Sequence, residues 1–163
     1  MTNNKGFTLL EAIISIFIVT MGVGGVFTLI NQTIGGTRSV SLRLTATYLA
    51  QEGIETVRNI RDGNFLKIHK GTGGVNWDTN LTGCQAGCEA DYNDTSLAPN
   101  DRYLRIDGGF YNYDSGTDTI FKRKITVTPS GSNILQASVV VSWQERGGPH
   151  QVTIQENLYQ WIQ

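Results

Sequence analysis

The 163-residue sequence predicts an α+β fold, with one long N-terminal α-helix, a membrane half followed by an amphipathic half, packed on a C-terminal antiparallel β-sheet. Three observations lead there. The N-terminal segment holds an apolar run without charge, a stripe of helical period follows it, and three runs near the C-terminus alternate with period two.

Composition bounds the reading first. Hydrophobic residues make up 39% and charged residues 17%, with a formal net charge of -1, which excludes global disorder and gives no nucleic-acid-like excess of positive charge. Charge is unevenly placed, because ahead of Arg38 stand only Lys5 and Glu11. From Ala12 to Ile30, roughly 19 residues carry neither charge nor proline, close to the length that crosses the ~30 Å hydrocarbon core. A buried core helix is the competing reading, but the polar remainder of the chain is poorly suited to surround so long an apolar rod. A cleavable secretory signal is another, yet NQTIGGTRSVSLRL after the run offers no A-x-A site. Lys5 on one side against Arg38 and Arg43 on the other leaves orientation ambiguous by charge counting.

Orientation comes from the junction. Lys5-Gly6-Phe7-Thr8-Leu9-Leu10-Glu11 resembles the signature of type IV prepilins and type II secretion pseudopilins: a short polar leader ending in glycine, then phenylalanine, then an apolar helix with glutamate at its fifth position. The resemblance implies that a prepilin peptidase on the cytoplasmic side cuts between Gly6 and Phe7 and methylates the new amine of Phe7. It further implies a single-pass inner-membrane protein with its head outside the cytoplasm, then an extracellular or periplasmic filament. The implied partners are other pilin subunits, the prepilin peptidase, an inner-membrane assembly platform and membrane lipid. Glu11 has its own physical reading, since a carboxylate in hydrocarbon costs roughly 2.5 to 3.5 kcal/mol and marks a partner. In the resembling family it pairs with the terminal amine of an adjacent subunit and sets axial register; the plainer alternative is a glutamate that snorkels to the interface and caps its helix.

The helical period continues from Ser39 to Arg61, with Val40, Leu44, Ala50, Ile54 and Val57 as one apolar stripe and Glu52, Glu55, Arg58 and Arg61 spaced for i,i+3 pairs. Asp62-Gly63 is the expected stop, giving a rod of about 80 Å from Phe7. Glycines 22, 24, 25, 35 and 36 each weaken it by roughly 1 kcal/mol. The family commonly places a proline in this helix; none occurs here before Pro99, so the Gly22 to Gly25 cluster becomes the candidate for a kink or melted stretch.

From Phe65 to Asp118 the chain is turn-rich, with two short strands expected around Tyr103 to Ile106 and Gly109 to Tyr113. Three clearer strands follow. Residues 119 to 128 set Phe121, Ile125 and Val127 against Lys122, Lys124 and Thr126. Residues 135 to 143 set Leu135, Ala137, Val139, Val141 and Trp143 against Gln136, Ser138 and Ser142, and residues 151 to 161 alternate through Val152, Ile154 and Leu158. The turns PSGSN and ERGGPH between them argue for an antiparallel meander, covered by the only amphipathic element available, the second half of the helix. That architecture is pilin-like. The expected organisation is a leader at 1–6, an assembly helix at 7–34, an amphipathic helix at 35–62, a connecting region at 63–118 and a β-meander at 119–163. The strand ending at Trp143 and the short aromatic C-terminal end resemble the minor pilin and pseudopilin branch.

Cys84 and Cys88 are the whole cysteine content. A head outside the cytoplasm permits a disulfide; free thiols and a metal site with His69 or His150 stand as alternatives. Asp78, Asn80, Thr82 and Glu89 fall at positions one, three, five and twelve of a calcium-loop spacing, with Gly83 at six, and Asp91, Asn93 and Asp94 lie nearby. Against calcium, Gln85 replaces an apolar residue and no amphipathic helix precedes Asp78, so an ordinary Asx-rich turn competes; otherwise no cofactor is expected. Catalytic motifs are missing, and GTGG at 71–74 lacks the lysine and context of a phosphate loop. Lys122, Arg123 and Lys124 are consecutive in a strand and split between faces, so no nucleic-acid partner is expected. Two functions remain: a structural subunit of a type IV pilus or type II pseudopilus, and a membrane-anchored extracytoplasmic binding module that does not polymerise.

Overall fold

The computed structural model describes residue 6, residues 8–145 and residues 147–161. Its elements are one helix, α1 (Leu9–His69), and five strands, β1 (Tyr103–Asp107), β2 (Phe110–Asn112), β3 (Thr117–Gly131), β4 (Ile134–Glu145) and β5 (Gly148–Tyr159). The chain divides into two compact units, Met1–Ser41 and Leu42–Gln163.

In the first unit α1 runs unbroken through Gly22, Gly24, Gly25, Gly35 and Gly36, so the melted stretch considered at Gly22 to Gly25 is not there. Glycine weakens a helix but, unlike proline, removes no hydrogen bond from it. The polar side chains among the apolar ones turn back onto the helix. Ser15 Oγ donates to Glu11 O at 2.7 Å, Thr20 Oγ1 to Phe17 O at 2.9 Å, Thr28 Oγ1 to Gly24 O at 3.0 Å and Asn31 Nδ2 to Phe27 O at 3.0 Å. Polar groups satisfied within the segment are what a bilayer demands.

In the second unit the rest of α1 packs on a five-stranded sheet of order β2-β1-β3-β4-β5, antiparallel throughout. All five expected strands form, and the alternation read in β3, β4 and β5 is the observed one. Phe121, Ile125, Val127, Leu135, Ala137, Val139, Val141, Trp143 and Leu158 are buried on the face that meets Ala46, Leu49, Ala50, Ile54, Val57 and Ile60 of α1. Each large side chain so buried contributes about 1.5 to 3 kcal/mol. Of the expected helical stripe, Ala50, Ile54 and Val57 are buried against the sheet, whereas Val40 and Leu44 are exposed, and Ala46, Leu49 and Gly53 complete the seam.

α1 also outruns its expected stop at Asp62-Gly63 by two turns. Tertiary contacts outweigh the glycine: Asn64 Nδ2 donates to Trp77 O and Thr79 O at 3.2 and 2.7 Å, and buried Phe65 meets the Trp161 ring at 4.7 Å. The true stop is Gly71, at φ +73, where Gly71 N–H donates to Ile68 O and Thr72 N–H to Lys67 O, the paired bonds of a Schellman cap. Of the i,i+3 pairs read on this helix, Glu55–Arg58 forms at 3.1 Å; Arg58 also reaches Glu156 of β5, and Glu52 turns to Arg123 of β3.

Gly53 is where helix and sheet approach most closely. A Cβ there would lie 2.9 Å from Val139 Cγ1 and 3.1 Å from Arg123 Cδ. Overpacking of this kind costs about 1 to 3 kcal/mol, while alanine returns roughly 1 kcal/mol of helix propensity. Gly53→Ala is therefore expected to lower stability by about 1 kcal/mol. Denaturant unfolding of the full chain in detergent measures it, and a more stable variant would mean that α1 can shift off the sheet freely.

Candidate functional site

The N-terminal segment is built around its helix start. Thr8 precedes α1 and accepts a hydrogen bond from Glu11 N–H at Oγ1, 3.3 Å away, while Ala12 N–H donates to Thr8 O at 3.1 Å. Thr8-Leu9-Leu10-Glu11 is thus a capping box in sequence, with threonine at the N-cap and glutamate three residues on. The S/T-x-x-E spacing makes that role of Thr8 legible in the sequence. Glu11 lies in the first turn, where the helix dipole favours an anion, and is exposed. Among the described residues its carboxylate has no ion-pair partner. Gly6 is exposed and open on all sides within 4 Å of a would-be Cβ; Phe7 lies outside the described residues.

The flanking helix is long and apolar enough to cross a membrane, and its most apolar stretch is not buried among the described residues. Ile13, Phe17, Val23, Phe27 and Ile30 are each at least half exposed. Residues 1–27 match the family model of the prokaryotic N-terminal methylation motif. The N-terminus carries the type IV prepilin and pseudopilin signature. The match ends within the apolar helix, so the signature speaks for the leader and the first turns of α1 rather than for the head. Neither a curated protein nor a solved structure matches the chain.

Outside the prepilin signature, the residues singled out in the head are drawn into its architecture. Cys84 and Cys88 form a disulfide, with their Cα atoms 5.5 Å apart and both residues buried. The loop they close lies against β3, where Cys88 N–H and C=O bond to Ile125 O and N–H at 2.7 and 2.8 Å. Glu89 next to it is 1% exposed and turned inward. Its Oε1 accepts from Arg102 Nε and Nη2, and its Oε2 from Arg102 N–H. The carboxylate at the twelfth position of the calcium-like spacing is therefore held by a guanidinium, whose pKa it raises through that hydrogen bond. Asn80 stands at φ +64 with Nδ2 donating to Thr95 O, Asp78 O accepts a turn bond from Leu81 N–H, and Thr82 is exposed. Among the described residues no group of three or more His, Cys, Asp or Glu side chains is placed to hold a metal ion. His150 stacks on Trp143, with ring centroids 5.6 Å apart.

In the sequence Arg123 reads only as one of three consecutive strand cations split between two faces. It shares the inner face with Phe121 and Ile125, and its side chain is fully buried. Nη1 donates to Leu49 O at 3.2 Å and Glu52 Oε1 at 2.8 Å, and Nη2 to Ala90 O at 2.7 Å. Tyr113 O–H donates to Arg123 O, with its ring 5.7 Å from the guanidinium carbon. Burial works against the charge, but Tyr113 and Glu52 outweigh it and hold the guanidinium above its ordinary pKa. Burial likewise pushes the Tyr113 phenol up. The strand period had the signal, because every second residue from Phe121 through Val127 faces inward.

Proposed function

We propose that this chain is a structural subunit, of the minor kind, of a type IV pilus or type II secretion pseudopilus. Prepilin peptidase cleaves it after Gly6 and methylates Phe7, and residues 7–34 then pack with other pilin subunits on an inner-membrane assembly platform. One observation carries the reading: the prepilin signature runs directly into an apolar helix whose most apolar stretch is not buried among the described residues. Such a surface needs lipid before assembly and neighbouring helices after it. Glu11 supplies the pairing group for the terminal amine of a neighbour. The Cys84–Cys88 disulfide agrees with a head outside the cytoplasm. The V-x-V-x-W run of β4 up to Trp143 and the aromatic C-terminal end support the minor branch.

Mass spectrometry of the chain extracted from membranes of peptidase-containing cells tests the processing. The expected species begins at Phe7 and carries one added methyl group, while Gly6→Val keeps the leader from Met1. A wild-type chain that retains its leader under those conditions overturns the reading in favour of an anchored, non-polymerising module.

A further inference from the structure

The two edges of the sheet are unlike. At one, β2 is three residues long, too short to offer a passing strand much to pair with. At the other, β5 runs for twelve residues with Glu156 as its one carboxylate. α1 is seated over β3 and β4, with Gly53 against Val139 of β4 and Arg123 of β3, and reaches β5 through the Arg58–Glu156 ion pair. Val152 and Ile154, on the inner face of β5, are consequently only half buried, and a groove of about 660 Å³ lined by Gln51, Ile54, Glu55, Arg58, Ile154 and Glu156 opens beside them.

The outward backbone groups of β5 can be assigned. Gln160 N–H donates to Asn133 O at 3.0 Å, and the β4–β5 register runs without a shift from Ile134↔Tyr159 to Glu145↔Gly148. Even-numbered residues of β5 therefore bond toward β4, and Gln151, Thr153, Gln155 and Asn157 direct N–H and C=O away from it. Pro149 belongs to the outward set, so it lacks an N–H only where β4 needs none.

About Thr153 the strand is chemically symmetric. Val152 and Ile154 are aliphatic, Gln151 and Gln155 are amides, and His150 and Glu156 are an imidazole and a carboxylate. We propose that β5 pairs antiparallel with β5 of a second copy of this chain, about a two-fold axis at Thr153, so that the two sheets continue as one. This register sets Gln151 against Gln155 of the second copy, where the amides donate and accept reciprocally, Val152 against Ile154, and His150 beside Glu156, whose carboxylate also holds Arg58 of its own chain. Moving the axis to Gln155 sets Glu156 against Ile154, and moving it to Gln151 sets Pro149 against Thr153, so both neighbouring registers lose the match. The axis stands perpendicular to the sheet, which makes the head segments of α1 in the two copies run in opposite directions. An interface of one strand edge is small and fits a reversible association.

Thr153 is exposed on the outer face, so charge there leaves folding intact yet meets its own copy at the axis. Sedimentation of the full chain in detergent is the test. Thr153→Lys alone and Thr153→Glu alone are each expected to weaken self-association roughly tenfold, and their equimolar mixture to restore it. Thr153→Cys is expected to yield a disulfide-linked dimer under mild oxidation. A wild-type chain that stays monomeric at every concentration reached, single variants that associate like wild type, a mixture no tighter than its components, or no cross-link at position 153 would each overturn the pairing.

Discussion

Arg123→Ala is expected to destabilise the head by about 3 to 5 kcal/mol, the range for breaking a buried, hydrogen-bonded charge pair. The loss has separate sources. Leu49 O and Ala90 O lose a donor in a buried setting, and the space of the arginine stem opens under Gly53. Glu52 adds less, because its side chain is 35% exposed and can rehydrate. Arg123→Met keeps the stem volume and removes the charge, so it is expected to cost less than alanine, by roughly 1 to 2 kcal/mol. Denaturant unfolding of the full chain in detergent measures both. If alanine and methionine cost the same, packing of the stem contributes nothing; if neither costs more than about 1 kcal/mol, Arg123 does not hold α1, the Ala90 loop and β3 together.

Glu11→Ala is expected to leave the head folded and membrane insertion undiminished while reducing filament incorporation by at least about 30-fold against wild type. The two effects have opposite signs because they draw on different states. In a lone chain at bilayer depth the carboxylate costs about 2.5 to 3.5 kcal/mol, and the helix N-terminus returns only about 0.3 to 1. Its removal favours insertion. In the proposed filament the same carboxylate would neutralise a neighbour's amine, and truncating one partner of a desolvated pair costs about 2 to 5 kcal/mol. Competition of tagged wild-type and variant subunits in one cell reads the incorporation ratio. A Glu11 that merely caps its helix would leave that ratio near one.

Much of this was legible in the residues because it depends on near neighbours along the chain. The apolar span, the Gly6-Phe7 junction and the Thr8 to Glu11 cap are written within a few positions of one another. The alternation in β3, β4 and β5 and the turns between them required no knowledge of the rest. Even the inward turn of Arg123 follows from strand period, though its charge argued for the surface. The end of α1 misled because Gly63 is a local signal, whereas the contacts that carry the helix to Gly71 come from Trp77, Thr79 and Trp161.

The sequence by itself determined that an apolar helix bearing a prepilin-type junction precedes an antiparallel meander, since hydrophobic period and motif spacing are properties of consecutive residues. Only the tertiary structure decided that Glu89 serves Arg102, that Arg123 bonds α1 to β3 and the Ala90 loop, and that β5 is the outermost strand of the sheet. Each of those depends on which distant backbone and side-chain groups share a buried, low-dielectric space, where a polar group must find a partner. Sequence spacing carries no record of that requirement until the sheet has closed against the helix.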